Sequence, residues 1–222
     1  MDKTTFIEKQ ENEVTIPADT VNLRGILGLP ARIKGVVIFA HGSGSGRFSP
    51  RNNFVARVLQ NGGIATLLAD LLEESEDTDR QKVFNIDLLA DRLLACARWV
   101  QKQQELKGKK IAYFGASTGA AAALQAAARE PDGIASVVSR GGRPDLAMEY
   151  LNRVRAPTLL MVGGNDMAVI PLNEAAYAQL TCPRELVIIP GATHLFEEPG
   201  KLEEVARLAL EWFTGKFPGQ AG

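Results

Sequence analysis

Three residues of this 222-residue chain could together make a nucleophile: Ser117, Asp166 and His194. Ser117 stands in Gly115-Ala116-Ser117-Thr118-Gly119, where the apolar run IAYFG (111–115) meets the alanine-rich stretch TGAAAALQAAARE. A serine hydroxyl becomes nucleophilic when it is lifted from the sheet edge on a sharp strand-to-helix turn. Small residues two positions to either side let strand and helix approach that closely. The hydroxyl also needs a base that titrates near neutrality, held by a carboxylate. Asp166 follows the run TLLMVGG, and His194 follows ELVIIPG. The order Ser, Asp, His along the chain is the one this strand-to-helix architecture uses. Only two histidines occur, His41 and His194, so any imidazole chemistry rests on one of them.

An acyl-transfer intermediate also needs backbone N–H groups for its oxyanion. The residue after the nucleophile, Thr118, opens a helix and supplies one. The loop HGSGSGR (41–47) follows another strand, and its glycines let the N–H of Ser43 turn inward as the second. His41 can either brace this loop by hydrogen bonds or compete with His194 as the base.

These residues can meet only if the strands preceding them run side by side. VVIFA (36–40), IATLLAD (64–70), IAYFG (111–115), IASVVS (134–139), TLLMVGG (158–164) and ELVIIPG (185–191) are near-continuous apolar runs, as in a parallel sheet covered on both faces. Helical patterns lie between them at about 52–61, 83–105, 118–130, 171–180 and 199–214, the last with Pro199 suited to a first turn. In the second, Leu89, Leu93, Cys96 and Val100 share one face, which makes Cys96 a core residue. EVTIP and VNLRGILGLP precede this alternation as an antiparallel pair at the sheet edge. The expectation is an α/β fold, an open doubly wound and mostly parallel sheet, forming one domain over residues 1–222. In such a sheet the carboxyl ends of the strands open on one crevice, where the serine, the acid and the histidine converge.

The elbow, the two loops and their order resemble the α/β-hydrolase superfamily, and within it the dienelactone-hydrolase-like branch, over nearly the whole chain. The resemblance implies a carboxylic ester hydrolase with the triad Ser117, Asp166 and His194 and an oxyanion hole at Ser43 and Thr118. No cofactor is expected. Dienelactone hydrolases are known for a cysteine nucleophile. Serine at position 117 departs from that pattern and puts dienelactone itself in doubt as the substrate, though not ester-type hydrolysis of an ester, lactone or thioester. Many relatives carry a helical cap after the sixth family strand. Here the segment 139–157, SRGGRPDLAMEYLNRVRAP, has room for one short helix, so the site should lie open to small soluble acyl substrates.

Arg47, Arg51, Arg140 and Arg143 all follow strands on the carboxyl side of the sheet. Their guanidinium groups either capture an anionic substrate group or pair with Asp145, with carbonyls or with the acidic stretch LLEESEDTDR (71–80), which itself reads as a solvated loop. Twenty-five basic against 26 acidic residues leave a net charge of −1, which gives no support to a nucleic-acid partner. No apolar run approaches the ~18 residues of a membrane span. MDKTTFIEKQ lacks the apolar core of a secretory signal, and two distant cysteines, Cys96 and Cys182, suit a reducing cytoplasm. The histidine spacing supports no metal site. The oligomeric state stays open. Two rival functions remain. A dinucleotide fold would begin with the same strand and glycine loop, but Arg47 stands where its third glycine belongs. A hydrolase homologue that binds small molecules without turning them over would keep the same residues.

Overall fold

The computed structural model describes residues 10–217. Eight strands form one sheet: β1 (Gln10–Ala18), β2 (Val21–Leu29), β3 (Gly35–Ala40), β4 (Ile64–Ala69), β5 (Ile111–Ala116), β6 (Ile134–Arg140), β7 (Thr158–Gly163) and β8 (Arg184–Ile189). Their spatial order is β1-β2-β4-β3-β5-β6-β7-β8. β1 and β2 form the expected antiparallel edge hairpin, and the strands from β4 to β8 all run parallel. The chain goes from β3 outward to β4 and then returns to the far side of β3 for β5. That reversal leaves a crevice beyond the carboxyl ends of β3 and β5, the usual ligand position in an open α/β sheet.

Among the described residues there are six α-helices: α1 (Pro50–Asn61), α2 (Arg80–Val83), α3 (Ile86–Lys102), α4 (Thr118–Arg129), α5 (Ile170–Gln179) and α6 (Lys201–Lys216). Two apolar cores result. One joins a sheet face to α3 and α4 through Leu93, Cys96, Tyr113 and the alanines of α4. The other joins the opposite face to α1 and α6 through Val55, Leu59, Phe114, Val138, Val205 and Phe213. Strand side chains alternate between the faces, so central strands with two covered faces must be apolar throughout. β3, β4, β5 and β7 are indeed buried at every position.

The structure departs from the sequence expectation at four places. β8 is not a buried strand: only Ile189 is fully inside and Ile188 is 38% exposed, because this outermost strand has a neighbour on one side only. The helix expected from residue 83 begins at Ile86, where the Asn85 side chain accepts from the N–H of Leu88 at 3.0 Å, and ends at Lys102. Pro199 lies before its helix, with Gly200 as the left-handed cap and Lys201 the first helical residue. The acidic stretch is not wholly solvated. The Glu76 carboxylate is buried, where it receives both terminal nitrogens of Arg92, the ammonium of Lys82 at 3.0 Å and the N–H of Glu73 at 3.0 Å.

The segment between β6 and β7 contains a 3-10 stretch, Pro144–Arg153, lying against α4 and α5, and no cap domain rises from it. No helix among the described residues is long and apolar enough to cross a membrane.

Candidate active site

Ser117 joins β5 to α4 with φ 51° and ψ −123°, a left-handed backbone that a non-glycine residue seldom adopts. Such a conformation costs ~1–3 kcal/mol and persists because its surroundings hold it. Here the Ser117 N–H donates to the carbonyl of Arg140 at 3.3 Å, and its own carbonyl accepts from the N–H of Arg143 at 3.0 Å. Glycines make the turn possible. A Cβ on Gly115 would stand 2.7 Å from the nitrogen of Ala120, and one on Gly119 would collide with the carbonyls of Ala40 and His41. A Cβ on Gly42 would lie 2.9 Å from that of Ser117, so the loop after β3 passes directly beside the serine.

Asp166 and His194 occupy the loops after β7 and β8, and these loops continue the pairing of their strands. The N–H of Gly164 donates to Ile189 at 2.8 Å and that of Asn165 to Ala192 at 2.9 Å. The result is a bond of 2.7 Å between Nδ1 of His194 and Oδ2 of Asp166. The Asp166 side chain is 11% exposed and that of His194 38%, so the acid is sheltered while the ring reaches the surface. Behind the ring, the N–H of Thr193 donates to the Glu198 carboxylate, and this bond holds Glu198 below the usual carboxylate range. The corner Arg140–Gly141 links the two halves of the site. The Arg140 carbonyl holds Ser117, while a Cβ on Gly141 would lie 3.5 Å from Nδ1 of His194. No hydrogen bond joins Ser117 to His194 among the described residues.

The two residues expected at the oxyanion hole touch each other: the Ser43 N–H donates to the Thr118 hydroxyl at 3.1 Å. His41 takes the bracing position. Its Nδ1 bonds the carbonyl of Gly42 at 3.0 Å, and its Nε2 accepts from the N–H of Leu71 at 3.0 Å. With both nitrogens occupied and the residue buried, no lone pair is free for Ser117. Asp70 is a part that sequence reading passed over as the end of a strand. It receives the backbone N–H of Arg47 at 2.6 Å and the Arg47 guanidinium, and so clamps the loop after β3. Its signal was an acid closing the strand beside the glycine loop.

The four arginines divide. Arg47 pairs with Asp70, Arg51 with Glu197 at 2.9 Å, and Arg143 with both oxygens of Asp145 at 2.9 Å. Arg140 has no carboxylate partner among the described residues. A cleft of about 1250 Å³ opens between the loop 43–51 and the acidic stretch, lined by Arg24, Arg51, Asp70, Glu73 and Asp77 among others. It borders the site at His41 and Ser43 and does not include Ser117, Asp166 or His194. Phe48, Met167 and Leu195, one on each of the loops after β3, β7 and β8, stand exposed. No group of three or more acidic, thiol or imidazole side chains among the described residues could hold a metal ion.

Comparison with known proteins extends this picture. A model of the dienelactone hydrolase family matches residues 23–214. The crystal structure of a dienelactone hydrolase from Anabaena variabilis superposes with a TM-score of 0.92 at 51% identity, covering 95% of this chain and 99% of that one. A serine hydrolase without a lid from Xanthomonas campestris, 21% identical over 95% of this chain and 97% of that one, shares the fold with a TM-score of 0.76. Among curated proteins, one named putative phosphoribosyl transferase from Mycobacterium tuberculosis is 50% identical over 215 residues, 96% of this chain. Those residues make up 48% of that protein, so this chain spans about half the length of the curated relatives it matches.

Proposed function

From the premise that this chain belongs to the dienelactone hydrolase family, we propose that it is a serine hydrolase cleaving an ester, lactone or thioester of a small substrate through an acyl-enzyme on Ser117. The observation that carries this reading is a strained serine at the end of β5 beside a sheltered aspartate–histidine pair 2.7 Å long.

In this mechanism the Asp166 carboxylate fixes the tautomer of His194 that carries its proton on Nδ1, leaving Nε2 as the base. As Ser117 Oγ attacks the acyl carbon, its proton passes to Nε2 and the carbonyl oxygen becomes an oxyanion. Asp166 balances the imidazolium that forms. The N–H of Thr118 belongs to the first turn of α4, where backbone donors have no intrahelical acceptor, and it faces the developing charge. The N–H of Ser43 exchanges its neutral bond to the Thr118 hydroxyl for a stronger, charge-assisted one to the oxyanion. His194 then protonates the leaving group, and water attacks the acyl-enzyme by the same steps in reverse. The 3.1 Å bond between Ser43 and Thr118 keeps the unliganded loop in place until substrate arrives.

The test is covalent. A fluorophosphonate should add once, at Ser117, as read by peptide mass spectrometry. Ser117→Ala should lower turnover of short p-nitrophenyl esters by ~10³-fold or more with an unchanged melting temperature. An unlabelled Ser117 would favour the rival reading, a homologue that binds small molecules without turning them over.

A further inference from the structure

Asn173 is a wholly buried amide near the start of α5, away from the residues that carry the chemistry. Its Nδ2 donates twice at 3.0 Å, to the carbonyl of Val169 one helical turn earlier and to the carbonyl of Gly142. Two carbonyl partners fix the amide's orientation, since only its NH2 end can donate to both. Its Oδ1 is buried with no hydrogen-bond partner, and an unpaired buried oxygen costs stability. The donor pair is therefore what the position retains. The bond to Gly142 leads to the elbow. Across a trans peptide the C=O and the N–H point in opposite directions. The Gly142 carbonyl shares its peptide with the N–H of Arg143, which donates to the Ser117 carbonyl at 3.0 Å. The Ser117 carbonyl shares its peptide with the N–H of Thr118, the donor assigned to the oxyanion. Two peptide groups thus stand in series between a buried side chain and the oxyanion hole.

We propose that Asn173 is a positioning residue of the oxyanion hole, aiming and polarising the Thr118 N–H through the Gly142–Arg143 and Ser117–Thr118 peptides. The proposal rests on the hydrolase reading and adds a residue to its machinery. The rest of the corner is held by backbone and by packing. The N–H of Gly141 donates to the carbonyl of Met161 at 2.8 Å, and a Cβ on Gly142 would collide with Oγ of Ser139. What those contacts leave to Asn173 is the tilt of the Gly142–Arg143 peptide, and with it the direction of the Arg143 N–H. The Ser117 carbonyl also accepts from the N–H of Ala120 at 3.1 Å, so losing Asn173 weakens one of its two holds. Hydrogen bonds in series polarise one another, which makes the Thr118 N–H a better donor as negative charge develops. That gain belongs to the transition state and appears in kcat.

The experiment uses two variants of the full chain, assayed well below their melting temperatures. Asn173→Leu removes both bonds. Asn173→Thr keeps a hydroxyl for the Val169 carbonyl but is too short to reach Gly142. Loss of a whole oxyanion donor costs ~10²–10³ in kcat, and a misdirected one should cost less. For p-nitrophenyl acetate, kcat should fall ~10-fold in both variants with KM little changed, because acylation and deacylation use the same donor. The inhibition constant of a trifluoromethyl ketone, whose adduct with serine bears an oxyanion, should rise by the same factor. Glu174→Gln, exposed on the same helix, should change neither. A residue that merely stabilises the fold would lower the melting temperature while leaving kcat and the inhibition constant unmoved, and that result overturns the proposal. So does a kcat loss in Asn173→Leu that Asn173→Thr restores, since the Val169 bond would then suffice. If Asn173→Leu does not fold, Asn173→Thr decides alone, and failure of both to fold overturns a separate role in the site. If the wild-type chain hydrolyses no ester and takes no fluorophosphonate, the hydrolase reading fails by itself. Amide hydrogen exchange then judges the link. Exchange at the Arg143 N–H should quicken at least ~10-fold in both variants with the β7 amides unchanged, and an unmoved Arg143 overturns it.

Discussion

Nδ1 of His194 lies 2.7 Å from Oδ2 of Asp166, across two loops that extend the pairing of β7 with β8. Parallel pairing sets the two residues at one height above the sheet, and the Asn165–Ala192 bond of 2.9 Å carries the register past the strand ends. Asp166→Asn keeps the shape but offers an amide where a carboxylate was. The wrong imidazole tautomer would then be held, and kcat for a neutral ester should fall by ~10⁴-fold with KM little altered. Steady-state kinetics checks this, and the melting temperature should stay within a few degrees.

Glycines at the elbow make a separable prediction about stability. A Cβ on Gly119 would lie 2.5 Å from the carbonyl oxygen of His41, and backbone on both sides prevents retreat. Gly119→Ala should therefore cost ~1–3 kcal/mol and displace Ser117, lowering fluorophosphonate labelling. At Gly133 the nearest atom to an added Cβ is 3.5 Å away, an ordinary contact. Gly133→Ala should change stability by less than ~1 kcal/mol and leave labelling intact. Urea unfolding of the two variants side by side decides it.

The chain announces the elbow, the loops that bear Asp166 and His194, and the sheet beneath them, because each depends on local pattern. Small residues flank a serine between an apolar run and an alanine run, and apolar runs ending in Gly and Asp mark buried strands. What it does not announce is who meets whom. Glu76 reads as one acid among several in LLEESEDTDR, and only the packing of α3 brings Arg92 over it. Arg140 and Arg143 look alike in SRGGRPD, yet Asp145 neutralises Arg143 two residues away while strand alternation sends Arg140 into the interior. The exposure of β8 depends on its place at the sheet edge, which its sequence does not state.

The Glu76–Arg92 pair should contribute stability that depends on pH. Its hydrogen bonds to Arg92, Glu73 and Lys82, opposed in part by burial, lower the Glu76 carboxyl from about 4.5 to about 2. A depressed folded-state value means that the contribution to stability is present above the ordinary carboxylate range and disappears as pH falls from about 4.5 toward 2. Glu76→Gln leaves Arg92 buried beside a neutral amide and should cost about 3 kcal/mol at pH 7. The gap between wild type and variant should close on acidification across that window, as read by urea midpoints at pH 7, 5 and 3.

His41 and His194 are the only imidazoles in the chain, and their surroundings assign them opposite tasks. His41 spends Nδ1 on the Gly42 carbonyl and Nε2 on the Leu71 N–H, tying the loop after β3 to the end of β4. His41→Phe removes both bonds and leaves the Leu71 N–H without that acceptor, at a cost of ~1–3 kcal/mol. Reaction of Ser117 with a fluorophosphonate should nevertheless persist at a measurable rate, because the base is elsewhere. His194→Phe should keep most of the stability, since its ring is partly exposed, and slow labelling by ~10³-fold or more. Labelling time courses on both variants separate the roles. Persistence in His194→Phe together with loss in a folded His41→Phe would exchange them.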